Sequence, residues 1–283
     1  MKQKVKLDNI VSEDAEISCG VPQGSVLGPT LFLIYINELC NMRIHNAKVI
    51  SYADDTAIIF TGRTWEEVKN SAKMGLAAVA SWLQNNLLTL NISKTNFICF
   101  NIYNRTQTDE LKLSIHTCNM NTDEVGCNCA KIQQVNQTKY LGVIIDQRLS
   151  WYPQLEQVIS RVRKLIWIFK ELRYILLRME IKNSWNVKNQ RNLLNEVYIA
   201  LVQSVLVYCI TVWGGASKTK FIELERTQRS ILKKMYFKKR TFPNDKLYDL
   251  CNLLSVRKLY VLLITLKIHP LIPISKINVI KIE

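Results

Sequence analysis

From Trp151 onward, apolar residues in this 283-residue chain recur at three- and four-residue spacing; before it, short β-rich runs alternate with helical ones. Strands with packed helices followed by helices alone imply an α+β domain and then an all-α domain, with the boundary near residue 150. The 48% hydrophobic content is enough for one large core or two small ones, and no disordered or fibrous class fits it. Charge divides at the same place. Residues 1–150 carry 14 Lys/Arg against 14 Asp/Glu, leaving 24 against 9 for residues 151–283, so the second half holds the whole net charge of +15. A basic surface of that kind suits nucleic acid first, an anionic membrane second, and a merely solvated face third.

In the first half, Lys2 to Leu7 alternates Lys with apolar residues, as an edge strand does, and Ile17 to Cys19 reads as a second short strand. Thr30 to Met42 has helical periodicity, with Leu31, Ile34, Tyr35 and Leu39 on one face. Ala47 to Ala53 and Thr56 to Phe60 are β-rich and separated only by Asp54-Asp55, which predicts a tight hairpin. A helix follows from Trp65 to about Leu87, opened by a Thr64/Glu67 capping box and lined by Val68, Ala72, Leu76, Val79, Leu83 and Leu87. Asn96 to Tyr103, Leu111 to His116 and Lys139 to Ile145 read as strands. In the second half the periodicity predicts helices over 154–177, 190–213, 219–237 and 255–268.

Two elements carry chemistry. Adjacent carboxylates at a hairpin tip repel each other, and a divalent cation relieves the repulsion. Asp54-Asp55 is therefore either a metal-binding pair for phosphoryl transfer or an ordinary solvent-facing turn. Upstream, Gly20 to Pro29 holds three glycines and two prolines ahead of a helix N-terminus. Its backbone can approach a ligand closely, with Gln23 offering donor and acceptor at the tip; a plain surface turn fits equally. Near the other end, Arg226, Arg229, Lys233 and Phe237 fall on one helical stripe, and Phe221, Leu224, Ile231 and Met235 on the opposite one. Such a basic face suits a phosphate backbone, and a solvated face is its alternative.

Other signals point to ordinary roles. The eight cysteines are irregularly spaced, and no apolar run follows Met1-Lys2-Gln3-Lys4, so the cysteines read as reduced and the chain as intracellular, nuclear or cytoplasmic and not secreted. The sequons at Asn91, Asn104 and Asn136 would then go unused. His116, Cys118, Cys127 and Cys129 lack the spacing of a zinc site. Val197 to Trp213 is long and apolar enough to raise a membrane helix, but Gln203, Ser204 and Thr211 interrupt it; a buried core helix is expected. Lys238-Lys239-Arg240 is a weak nuclear-import pattern.

Taken in order, these segments resemble the reverse transcriptases of non-LTR, jockey-like retrotransposons. Gly20-Val21-Pro22-Gln23-Gly24-Ser25-Val26-Leu27-Gly28-Pro29 resembles their nucleotide-proximal loop, and Tyr52-Ala53-Asp54-Asp55 their metal-binding hairpin. Trp82-Leu83 leading to Leu90-Asn91-Ile92-Ser93-Lys94-Thr95 resembles the following segment, and Lys139 to Asp146 running on to Trp151 the strand before the thumb. Val212-Trp213-Gly214 with the basic helix after it resembles the thumb. The resemblance implies a partial palm over 1–150 and a helical basic thumb over 151–283. It implies an RNA-directed DNA polymerase using two Mg²⁺ ions, or Mn²⁺, with an RNA template, a DNA primer and deoxynucleoside triphosphates, and no membrane. Asp54 and Asp55 would hold metal. Gly20, Pro22, Gln23, Gly24 and Tyr52 would lie near nucleotide and template. Lys94 would donate a proton to pyrophosphate, unless it is a solvated lysine. Arg226, Arg229 and Lys233 would take the nucleic-acid backbone.

In that family another metal-binding aspartate, the residue excluding ribonucleotides, and the fingers lie upstream of the glycine loop. Asp8, Asp14 and Glu16 lack the surrounding motif, so the expectation is a fragment with an incomplete site that does not polymerise alone. The alternatives are a non-catalytic nucleic-acid-binding remnant of a decayed element and an inert product.

Overall fold

The computed structural model describes residues 2–16, 20–21, 24–100, 111–115, 129–181 and 187–268. It is mixed helix and sheet and divides into two compact units, one of Met1–Phe97 with Thr106–Gln134, the other of Ile98–Arg105 with Val135–Glu283.

In the first unit the expected N-terminal edge strand is instead a hairpin made of two short ladders. β1 (Lys2–Gln3) pairs with β4 (Ala15–Glu16), and β2 (Lys6–Leu7) with β3 (Ile10–Val11), all antiparallel. Asp8 at φ +52° turns the inner ladder, and Ser12 exchanges bonds with the Val5 backbone where the ladders part. Every residue of this hairpin is exposed. The expected strand at Ile17–Cys19 lies outside the described residues.

Helix α1 (Gly28–Cys40) starts two residues before the expected Thr30, because Pro29 presets the first turn. Its buried face is Ile36 and Leu39 with Phe32 beside them. Of the face read from the sequence only Leu39 is buried; Leu31, Ile34 and Tyr35 are exposed. The helix is apolar on most sides, so spacing alone does not select the face that packs.

Strands β5 (Ala47–Tyr52) and β6 (Asp55–Phe60) form the predicted hairpin. Helix α2 (Trp65–Asn85) follows it. Thr64 caps α2, accepting from the Glu67 N–H at 3.2 Å, and the Glu67 carboxylate reaches the Arg63 N–H at 2.7 Å. Ala72 and Val79 are buried as expected, with Gly75 and Trp82 alongside, but Leu87 is past the helix end, left-handed and exposed. Trp82 Nε1 donates to Glu38 of α1 at 3.0 Å, and Tyr35 donates to the Asn86 carbonyl. A three-stranded sheet completes the unit: β7 (Asn96–Phe97) runs parallel to β9 (Ala130–Gln134), with β8 (Leu113–Ile115) antiparallel on its other side.

The expected strand over Lys139–Ile145 is a hairpin, β10 (Gln137–Tyr140) and β11 (Val143–Asp146), turned by Leu141 at φ +46° and Gly142 at φ +81°. Two consecutive left-handed residues match the twist of a two-residue hairpin, and the glycine adopts that backbone without strain. This hairpin belongs to the helical unit, so the units divide earlier than residue 150. The turn after β11 has Leu149 and Trp151 at positive φ, and the Asp146 carboxylate holds it by accepting from the Ser150 and Trp151 N–H groups at 3.0 and 2.9 Å. Burial pushes the Asp146 carboxyl up, but the donors on Ser150, Trp151 and Arg148 outweigh it, and its pKa lies below the ordinary 3.8.

Helix α3 (Tyr152–Ile181) then packs along α7 (Lys218–Met235). The single helix expected over 190–213 is broken. It comprises α4 (Val187–Tyr198), a π-helical turn (Ile199–Gln203), α5 (Ser204–Val207) and α6 (Ile210–Trp213), with Cys209 left-handed at φ +52°. Tyr198, Val202, Leu206, Ile210 and Trp213 nevertheless keep one stripe, each at most 1% exposed. Among the described residues no helix is long and apolar enough to cross a membrane. Helix α8 (Asn244–Cys251) is an addition to the expected set, and α9 (Val256–Ile268) matches it. Gln228, fully buried, ties the bundle: its amide donates to the Tyr198 hydroxyl and Leu254 carbonyl, and its oxygen accepts from Tyr248 and the Val256 N–H.

Candidate functional site

The β5–β6 ribbon has two unlike faces. Ala47, Val49 and Ser51 pair across with Phe60, Ile58 and Thr56, and this inner face meets α1 and α2. Lys48, Ile50 and Tyr52 pair with Ile59, Ala57 and Asp55 on the outer face, where Tyr52 is 67% exposed. Asp55 is therefore the first residue of β6, facing Tyr52, and the turn consists of Ala53 and Asp54 rather than of the two aspartates. Ala53 takes the left-handed backbone at φ +52°, and the Ser51 and Thr56 hydroxyls bond at 2.9 Å just below the tip. The alternation of the inner face fixes this register, and a slip by one residue would turn Ile58 and Phe60 to water.

Asp54 and Asp55 are both exposed, and among the described residues neither makes an ion pair. Two open, unneutralised carboxylates are donors of the kind a hard divalent cation takes. Two such carboxylates do not by themselves make a whole shell, and among the described residues no three His, Cys, Asp or Glu side chains group to hold a metal. In the N-terminal hairpin, Asp14 is already engaged by Lys4 at 3.3 Å and Lys2 at 4.0 Å.

In the glycine loop, Gly20 and Gly24 sit at φ +85° and +83°, a backbone that side-chain-bearing residues rarely adopt, which accounts for glycine at both. Pro22 and Gln23 lie outside the described residues, as do His116, Cys118 and Cys127. Lys94 is exposed on a turn closed by its N–H to the Asn91 carbonyl at 3.2 Å, and no hydrogen bond or ion pair joins it to the hairpin among the described residues.

On α7, the stripe of Phe221, Leu224, Ile231 and Met235 is buried as expected. The three basic residues of the other stripe are not equivalent. Arg226 is exposed; Arg229 pairs with Glu225 at 3.8 Å; Lys233 donates to the Arg240 carbonyl at 2.8 Å.

Residues 2–145 match the protein family described as "Reverse transcriptase (RNA-dependent DNA polymerase)". The chain belongs to the reverse transcriptase family. Its relatives are proteins of non-LTR elements. It is 27% identical over 235 residues to the "Probable RNA-directed DNA polymerase from transposon BS" of Drosophila melanogaster, covering 81% of this chain and 23% of that protein. It is 26% identical over 244 residues to the "RNA-directed DNA polymerase from mobile element jockey" of Drosophila funebris, covering 83% and 24%. With the "Retrovirus-related Pol polyprotein from type-1 retrotransposable element R1" of Nasonia vitripennis the identity is 23% over 172 residues, covering 60% and 46%. The chain thus spans about a quarter of the length of the first two of these curated relatives. No solved structure matches it. Reverse transcriptases as a family use divalent metal ions such as Mg²⁺, and their substrates are an RNA template and nucleotides.

Proposed function

We propose that residues 1–150 are the back of a polymerase palm and residues 151–283 a helical thumb, within an RNA-directed DNA polymerase that copies an RNA template from a DNA primer using deoxynucleoside triphosphates. The supporting observation is the exposed Asp54-Asp55 pair at the tip of a ribbon whose inner face is packed, in a chain of this family. A ribbon fixed on one side presents carboxylates with less positional freedom than a loop would. Asp54 and Asp55 would hold Mg²⁺, or Mn²⁺, which supplies Lewis-acid stabilisation of the charge on the transferring phosphoryl group. Gly20, Pro22, Gln23, Gly24 and Tyr52 would bound the nucleotide and template base, and Lys94 would hold the proton that passes to pyrophosphate. Arg226 would take a phosphate directly, with Arg229 and Lys233 lending charge from their engaged positions. Work inside the cell, in nucleus or cytoplasm, belongs to the same reading.

Two carboxylates do not complete a two-metal site, and no third acidic group stands with them among the described residues. The 283-residue chain by itself is therefore expected not to extend a primer. A protein carrying this chain in frame behind an upstream palm and fingers segment is expected to extend oligo(dT) on poly(rA) with Mg²⁺, and Asp54→Ala to lower that activity by at least a hundredfold, since misplacement by about 1 Å already costs that much. Extension by residues 1–283 alone, abolished by Asp54→Ala, would overturn the incomplete-site reading. Binding without extension in either protein would favour a non-catalytic remnant.

A further inference from the structure

Helix α3 buries one side completely, with Leu155, Val162 and Phe169 all at 0% exposure, while Trp167 and Tyr174 on the opposite side are exposed. Along that open side, positions 164, 167, 171, 174 and 178 follow spacings of three and four and so form one stripe. It reads Lys164, Trp167, Glu171, Tyr174, Arg178, with Lys170 at its edge. Trp167 is 66% exposed and Tyr174 53%. Large aromatic rings standing in water at seven-residue spacing, between cations, are unusual for a solvated face.

Two further cations of α3 are occupied, while Arg161 is exposed. Arg163 pairs with Glu223 at 2.8 Å, and Arg173 donates to the Lys234 carbonyl while lying 4.4 Å from the Phe237 ring centre. Glu156 is neutralised by Lys220 at 2.9 Å. Lys164, Lys170 and Arg178 engage no partner among the described residues, and Glu171 is the one acid in the stripe. What is left open is a set of free cations and two ring faces about 10 Å apart along the helix.

We propose that this stripe binds unpaired nucleic acid, with bases stacked on Trp167 and Tyr174 and phosphates on Lys164, Lys170 and Arg178. Charge decides for a polyanion, and the rings decide which kind. In a duplex the base faces are already stacked on one another, so a protein meeting it needs cations and no platforms; unpaired bases offer free faces to aromatic rings. Ring spacing of about 10 Å seats two bases with one or two nucleotides between them. The inference rests on the reading of the chain as a nucleic-acid polymerase fragment, and it assigns to α3 a single-strand surface distinct from the basic stripe of α7.

The test compares three labelled ligands by fluorescence anisotropy with the full chain: a short oligo(dT), an abasic strand of equal length and charge, and a hairpin duplex. The expected result is tightest binding to oligo(dT), weaker binding to the abasic strand by about fivefold to a hundredfold per ring, and loss of that preference in the Trp167→Ala/Tyr174→Ala variant. Trp167→Phe should keep most of it. Both side chains are mainly exposed, so the variant should retain the wild-type circular dichroism. Equal binding of the base-bearing and abasic strands by the wild type, or an unchanged preference in the double variant, overturns the proposal while salt-sensitive binding preserves the polymerase reading. No binding of any nucleic acid overturns both. Retention on phosphatidylcholine vesicles that disappears in the double variant, with no preference for bases, would assign the stripe to a membrane surface and also overturn it.

Discussion

The two units solve the problem of burying apolar surface differently. All the largest fully buried side chains, from Leu155 to Leu247 and including Trp213, Tyr198 and Phe169, belong to the helical unit. In the sheet unit the large buried side chains keep a little exposure, as Trp82 does at 7% and Ile36 at 8%, while Val26 is 92% exposed, Ile34 69% and Ile10 75%. A helix bundle closes on itself, because each helix can turn its apolar stripe inward. A two-stranded ribbon has two faces and can bury only one against the helices beside it, and here the other carries Ile50, Tyr52, Asp55 and Ile59 in the open. Asp55 stands on that open face and Asp54 in the turn beside it, so the candidate metal ligands lie where burial is poorest.

That contrast predicts unequal responses to equal damage. Trp213, at 0% exposure, packs in the helical core and donates Nε1 to the Tyr208 carbonyl at 2.8 Å. Trp213→Ala should cost about 3–5 kcal/mol, because the surrounding helices cannot collapse into the void. Trp82→Ala in the sheet unit removes the same side chain from a site 7% exposed and should cost about 3 kcal/mol or less. Urea denaturation of the two variants, with native-state hydrogen exchange to assign each loss to a unit, checks the order. Equal losses would mean the sheet unit is as tightly packed as the helical one.

A smaller effect probes a crowded place in the sheet unit. A Cβ on Gly75 of α2 would meet the Phe60 ring at 2.6 Å and Ile44 Cγ2 at 2.7 Å. Ala is the better helix former by roughly 1 kcal/mol, but overpacking costs about 1–3 kcal/mol, so Gly75→Ala should destabilise the sheet unit by at most about 2 kcal/mol net. It should also loosen the inner face of the ribbon that carries Asp54 and Asp55. A raised melting temperature for this variant would show that the helix and ribbon have room to part.

The same contrast explains what could be read from the sequence. Helical stripes were legible wherever one side is polar, as on α7, where Phe221, Leu224, Ile231 and Met235 are all buried. On α1, which is apolar nearly all round, spacing does not select the buried face, and Leu31 and Ile34 are exposed. The hairpin at Asp54 was legible from its two β-rich runs, but its turn was set one residue late, because the cross-strand pairing of Tyr52 with Asp55 is a matter of register and not of composition. The breaks at Leu141-Gly142 and Tyr208-Cys209 involve left-handed backbone at Leu and Cys, which no propensity announces. At the candidate site the residue types of the carboxylate pair were legible, while the exposed rings of α3 became visible only once their opposite face was seen to be buried.

An effect of similar size is expected at Asp146, which bridges from the last strand into the helices. Its carboxylate accepts from Ser150 and Trp151 across a turn with two left-handed residues, Leu149 and Trp151. Asp146→Asn keeps one acceptor oxygen and replaces the other with a donor facing an N–H. It should cost about 1–2 kcal/mol at neutral pH, the range for losing a cap-like acceptor. The pH dependence separates charge from shape. The folded pKa of Asp146 is below 3.8, so in acid the unfolded chain takes up this proton before the folded one does. The stabilisation is therefore fully present above 3.8 and is lost as pH falls through the lower, folded value. Melting curves of wild type and Asp146→Asn should be separated by a constant interval near neutrality and converge in acid. An interval that persists unchanged well below 3.8 would mean that the Asp146 charge contributes nothing and that only the shape of the acceptor holds the turn.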